Sequence, residues 1–168
     1  MRGTGMLIYN KISINAFELA QRFVGMEELP LNQDNPQILA MLRLDQKWPE
    51  HDEVPWCSAF VNYICWLLRL PRSKDLRARS WLEVGRSVDI EQARVGFDVV
   101  ILKRGSGNQP GPDVTDAPGH VGFYAGRKEE AEYSRSDLIY LLGGNQGNKV
   151  SIAGYLETRI LGIRRLFR

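Results

Sequence analysis

Cysteine and histidine are scarce in this chain of 168 residues, with two of each. Two cysteines do not make the disulfide framework of a small secreted domain. They are Cys57 and Cys65, eight positions apart, and in a helix that spacing separates them by about 12 Å along the axis. A disulfide needs Cα atoms within about 7 Å, so this pair does not bridge. With His51 and His120 as the only histidines and no Cys-x-x-Cys or His-x-x-x-His spacing, a zinc site is a poor fit. Excess charge of one sign is also missing. The net charge is +2 and the pI about 8.6, too mild to point to a nucleic-acid partner. Long apolar runs are absent. The longest stretch, "ICWLL" at 64–68, is far too short to span a bilayer, and the first fifteen residues hold no run of signal-peptide length. The expectation is a protein synthesised in the cytoplasm without a signal peptide and without membrane insertion.

What is present is an ordinary globular composition, 43% hydrophobic and 25% charged, in a length that suits one domain over 1–168 with one core. No repeat or low-complexity tract divides it. Residues 13–29 read as a first helix, with Ala16, Leu19, Ala20 and Phe23 at helical spacing and Ser13 or Asn15 as cap. Residues 34–44 read as a second, capped by Asn35 with Pro36 at its first position. A third runs from about Cys57, just after Pro55, to Pro71, with Phe60, Ile64, Leu67 and Leu68 on its buried face. A short fourth lies within 78–88, closed by Gly85. The pattern then changes to four strands: 97–102, 120–125, 137–142 and 159–166. Helices first and strands second predict an α+β domain, its N-terminal helices packed on a central antiparallel sheet. Between the first two strands, residues 103–119 carry four glycines and three prolines and form a long loop of the kind that often has a function.

The stretch "DEVPWCSAFVNYICW" (52–66) raises the chemical question. A thiolate is the reactive form of cysteine, and unpaired N–H groups at a helix start favour it. Cys57 is placed for that effect and becomes the candidate nucleophile, while Cys65, mid-helix on an apolar stretch, is core filling. His120 opens the strand "HVGFYA" and can accept a proton from a thiol. An imidazole needs a third group to hold its tautomer. "GGNQG" (143–147) follows the next strand and offers Asn145 as candidate, with Gln146 as the alternative. The Cys57 N–H is the natural donor to an oxyanion. Asp52 or Glu53 would fix the loop, contact substrate or tune the histidine. Trp56, Trp81 and Tyr124 are either groove-lining or core.

These residues together resemble a family. A cysteine at a helix start, a histidine at a strand start and a polar third residue, in that order, are similar to the papain-like clan, and more narrowly to the bacterial and phage cell-wall hydrolases of the CHAP and NlpC groups. The blocks that carry the resemblance are "PWCSAFV" (55–61), "ARSWLEVG" (78–85), "GHVGFY" (119–124) and "LGGNQ" (142–146). Two departures stand out: Phe97 is interposed in "GFDVV", where the family reads glycine-aspartate, and the 104–119 loop is longer. The resemblance implies a papain-like (NlpC/CHAP) fold and a peptidoglycan amidase or endopeptidase working through a thioester acyl-enzyme, with no metal or organic cofactor required. It implies Cys57, His120 and Asn145 as catalytic residues, and Trp56, Asp52, Gln146 and Trp81 as substrate-binding residues. It also implies action on the cell wall after delivery or release, with a phage delivery partner (holin or tail) or a cognate immunity protein as partner. A protease or acyltransferase of the same fold on another substrate, or a non-catalytic structural module, are the alternatives.

Overall fold

The computed structural model describes residues 13–31, 33–128 and 137–167. Residues 1–12, which carry most of the stretch read above for a signal peptide, lie outside them. Among the described residues no helix is long and apolar enough to cross a membrane.

Among the described residues three α-helices come first: α1 (Ala16–Gln21), α2 (Pro36–Leu42) and α3 (Cys57–Leu67). Asn15 caps α1 through a reciprocal pair with Glu18: the Glu18 N–H donates to Asn15 Oδ1 and the Asn15 N–H to Glu18 Oε2, both at 2.9 Å. That helix is shorter than its apolar spacing predicted. The chain turns after Gln21, and Gly25 adopts a left-handed conformation with φ 93°. Asn35 caps α2 as expected, with Pro36 behind it. The "ARSWLE" segment forms a 3-10 helix, Ala78–Glu83, in place of an α-helix.

Six strands follow among the described residues: β1 (Arg86–Val88), β2 (Asp98–Lys103), β3 (Gly119–Arg127), β4 (Leu138–Gly143), β5 (Ser151–Leu156) and β6 (Ile160–Arg165). They form one antiparallel sheet in the order β1-β6-β2-β3-β4-β5. The fold is therefore α+β, with two more strands than the sequence reading. Both additions are edge strands: β1 is three residues long, and β5 alternates half-buried and exposed positions.

The helices cover one face of the sheet. Val99, Ile101, Val121 and Phe123 point into the cluster around α3, while Val100, Leu102, Tyr124 and Leu141 join Ile163 on the opposite face, the period-two alternation of a strand buried on both sides. Phe60 of α3 links the layers, meeting Phe23 edge-on at 6.0 Å and Phe123 at 6.4 Å between ring centroids. The interposed Phe97 stays outside the ladder. It packs edge-on against Phe167 at 5.5 Å, and β2 begins at the next residue. Asp98 there forms a buried two-pronged pair with Arg165, 2.8 Å on each arm. The long loop is present as expected, leaving β2 at Lys103 and returning at Gly119, two residues paired in the ladder.

Candidate functional site

Pro55 and Trp56 bring the chain into α3 so that Cys57 is its first residue. Trp56 sets the depth of that helix start. Its ring is fully buried against Gly144, where a Cβ would come within 2.5 Å of the indole, and its Nε1–H donates to Glu28 Oε1 at 2.8 Å. β4 pairs with β3 only from Phe123 onward, so the backbone around Val121 has a flank with no neighbouring strand. The Val121 N–H acts on the Cys57 thiol from there and favours its thiolate form. Val121 directly follows His120, so the helix start and the strand start meet there.

The imidazole is held from its other side. Gln146 Oε1 lies 3.0 Å from His120 Nε2 and 2.9 Å from the Tyr155 hydroxyl. The Gln146 amide nitrogen donates to Ser151 O at 2.5 Å and Leu141 O at 3.3 Å. Two carbonyl neighbours require donors, which fixes the amide nitrogen on that side and the oxygen towards the imidazole. An amide oxygen only accepts, so His120 Nε2 carries the proton and Nδ1 keeps its lone pair. The Tyr155 ring lies 5.5 Å from the imidazole, centroid to centroid.

Gln146, the alternative at the sequence level, thus occupies the place expected for Asn145. The loop explains the exchange. Asn145 adopts the left-handed region, φ 57°, a conformation that asparagine tolerates, and the turn aims the following side chain at His120. Asn145 makes no side-chain hydrogen bond to another described residue.

Burial dominates the electrostatics. Cys57 is 2% and His120 6% exposed. Desolvation is the largest effect on the thiol and raises its pKa above the ordinary value. The N–H groups of Val121, Ser58 and Cys57 and the charge of Arg104 act in the opposite direction and are outweighed. The sequence expectation of a thiol lowered by the helix start is therefore corrected: those amides are there, but the loss of water wins. Burial likewise lowers His120 to about 4, opposed by Gln146 and assisted by Arg104. At neutral pH both groups rest uncharged, Cys57 as the thiol and His120 as the neutral imidazole. Cys65 is buried mid-helix, and desolvation pushes its thiol far up as well, consistent with core filling.

The sulfur opens onto a cleft of about 510 Å³ bounded by Trp48, Val54, Pro55, Arg104, Asp116 and Gly119 among others. Trp48 is 60% exposed there. The tryptophans named from sequence are elsewhere. Trp56 is core, and so is Trp81, whose Nε1–H donates to the buried Ser58 Oγ at 2.9 Å. Asp52 is also withdrawn from the cleft. Its buried carboxylate accepts the Asn35 N–H at 2.7 Å and its own N–H donates to Asp34 at 2.8 Å, which ties the loop before α3 to the start of α2. Tyr124 packs on the far face of the sheet. Sequence reasoning missed Tyr155, on a strand without an apolar pattern, and Arg104 and Trp48, which nothing in their local sequence distinguishes.

Arg79 explains the "ARSW" block. Fully buried, it donates from Nε to Pro118 O (3.0 Å) and from Nη1 to Pro110, Gly111 and Val114 carbonyls (3.1, 2.7 and 2.9 Å). It fastens the long loop that forms one wall of the cleft. Chemically, the arrangement offers a nucleophile, a base of fixed tautomer and backbone donors at a helix start. No group of three or more potential metal ligands occurs among the described residues. Compared with known proteins, the chain matches no protein-family model and no curated relative.

Proposed function

We propose that the chain is a papain-like cysteine amidase or endopeptidase of the CHAP/NlpC kind that hydrolyses amide bonds of peptidoglycan. The observation that carries this reading is the commitment of His120 Nε2–H to Gln146, which leaves Nδ1 as a base at the strand start whose Val121 N–H acts on the Cys57 thiol. The order of the four sequence blocks supplies the substrate class. Cys57 attacks the carbonyl carbon while its proton passes to Nδ1 of His120. The oxyanion draws on the N–H at the start of α3. The imidazolium returns the proton to the departing amine, leaving a thioester. A water molecule, deprotonated by the same nitrogen, attacks the thioester and releases the carboxylic acid and the thiol. Gln146 and Tyr155 act by holding the imidazole. The protein would reach the wall by phage release, as part of a tail, or as a delivered effector.

Purified protein should clear a suspension of cell walls, and Cys57→Ala, a small change at a buried site, should melt near the wild-type temperature and clear none. Mass analysis of the released fragments then identifies the bond. Equal clearing by both proteins would end this reading, and intact muropeptides beside a cleaved protein would move it to a protease.

A further inference from the structure

Three charged side chains line the Cys57 cleft: Arg77, Arg104 and Asp116. Their situations differ. Arg77 is engaged by Asp75, with Nε 3.1 Å from both carboxylate oxygens and Nη2 2.6 Å from one. Asp116 acts on Arg77 and Arg79, so its field falls on that end of the cleft. The exposed Arg104 guanidinium forms no hydrogen bond or ion pair with another described residue. The groups that feel its charge are Cys57, His120 and Tyr155. Its backbone is placed by the strand, because it directly follows Lys103, which pairs with Gly119 one residue before His120. A cation whose field reaches a base that must take up a proton opposes that step. The opposition disappears if an anion arrives with the substrate, and a guanidinium matches a carboxylate with two parallel N–H donors.

We propose that Arg104 receives a carboxylate of the substrate, so that the cleft selects peptides with a free carboxylate within about one residue of the scissile amide. This deepens the hydrolase reading and rests on it for the peptide. The anion site itself can be probed without it. Iodoacetate and iodoacetamide are near-isosteric alkylating agents that differ by a carboxylate against a carboxamide. Their rates on Cys57 in the intact protein, followed by mass spectrometry of the Cys57 peptide, give a preference ratio. Arg104→Gln should lower the iodoacetate-to-iodoacetamide ratio about tenfold, as expected for loss of a charge-assisted contact, with Arg104→Lys between the two. A change of less than twofold would overturn the assignment. A second arm uses two synthetic stem peptides identical except for carboxylate against carboxamide beside the scissile bond. Wild-type kcat/KM should favour the carboxylate form about tenfold, and Arg104→Gln should abolish the preference. Equal cleavage of both forms by wild type overturns the substrate claim even if the alkylation ratio moves. Cleavage of neither, with the ratio still dependent on Arg104, removes the hydrolase reading and keeps the anion site.

Discussion

Because the chain has only two imidazoles, the protonation of His120 can be read directly. Burial places its pKa at about 4 in the folded protein, against about 6.5 in an unfolded chain. Between these values the unfolded chain binds the proton and the folded one does not. Stability is therefore complete above pH 6.5 and is lost as pH falls towards 4, by about 3 kcal/mol in all. His51 has the opposite sign. Its Nδ1 lies 3.0 Å from Asp34 and its pKa is raised, so its contribution is present below the ordinary histidine value and fades as pH rises. Imidazole C–H and nitrogen NMR on labelled protein from pH 3.5 to 8 should show one ring titrating above 6.5 and one well below. The second should be in the Nε2–H tautomer, with His51→Gln making the assignment. Gln146→Leu removes the bond that favours the charged ring, so His120 should titrate lower still and lose its single tautomer. The buried Nε2–H and the Tyr155 hydroxyl would lose their acceptor, at about 2–4 kcal/mol of stability. A wild-type His120 titrating at 6.5 or above, or carrying its proton on Nδ1, would refute the account of the site.

Two further outcomes follow from the packing. Gly144→Ala places a methyl 2.5 Å from the Trp56 ring and 2.8 Å from Phe60 Cβ, rigid core atoms that cannot retreat, so urea denaturation should show a loss of about 1–3 kcal/mol or more. Alkylation of Cys57 by iodoacetamide should keep accelerating with pH through the ordinary thiol range; a plateau between pH 5 and 8 would mean a resting thiolate and contradict the raised pKa.

The parts legible in sequence were those with local physical causes. Pro36 behind Asn35 marks α2, and Pro55 and Pro71 bracket α3, because backbone geometry and capping act over a few residues. The central strands β2, β3 and β4 announced themselves by near-continuous apolar runs, as strands buried on both faces do. The edge strands did not. β1 has three residues, and in β5 the sequence "SIAGYL" puts small and exposed residues where an apolar pattern would be needed. That silence concealed Tyr155, which comes to His120 only through β4–β5 pairing. Cys57 and His120 could be named because each stands at an element start. The choice between Asn145 and Gln146 could not be made from order along the chain, because it depends on the left-handed turn at Asn145. The tryptophans misled for a related reason: Trp56 and Trp81 lie inside two of the key blocks yet supply the packing that holds them, while the exposed Trp48 in the cleft sits in an unremarkable Trp-Pro pair.

The two opposing influences on the Cys57 sulfur bear on how such a site would operate. The helix start and the Val121 N–H favour a thiolate, and the closed surroundings favour a thiol. In the free protein the second prevails, since the sulfur has almost no contact with water. A neutral thiol needs a neutral base, and a lowered imidazole pKa keeps His120 in that form well below neutrality. The identity of the third residue matters here. A carboxylate at Gln146 Oε1 would stabilise the imidazolium and draw the pair towards a resting ion pair, whereas an amide fixes the tautomer and leaves the charge balance to burial. In the proposed reaction, proton transfer would then be coupled to the arrival of an electrophile that creates negative charge at the backbone donors of the helix start. An anionic substrate held by Arg104 would add to this coupling, because it cancels the cation that opposes protonation of His120. Under the proposed hydrolase reading, two buried and uncharged groups would keep the sulfur from indiscriminate chemistry until a carbonyl of the right surroundings occupied the cleft.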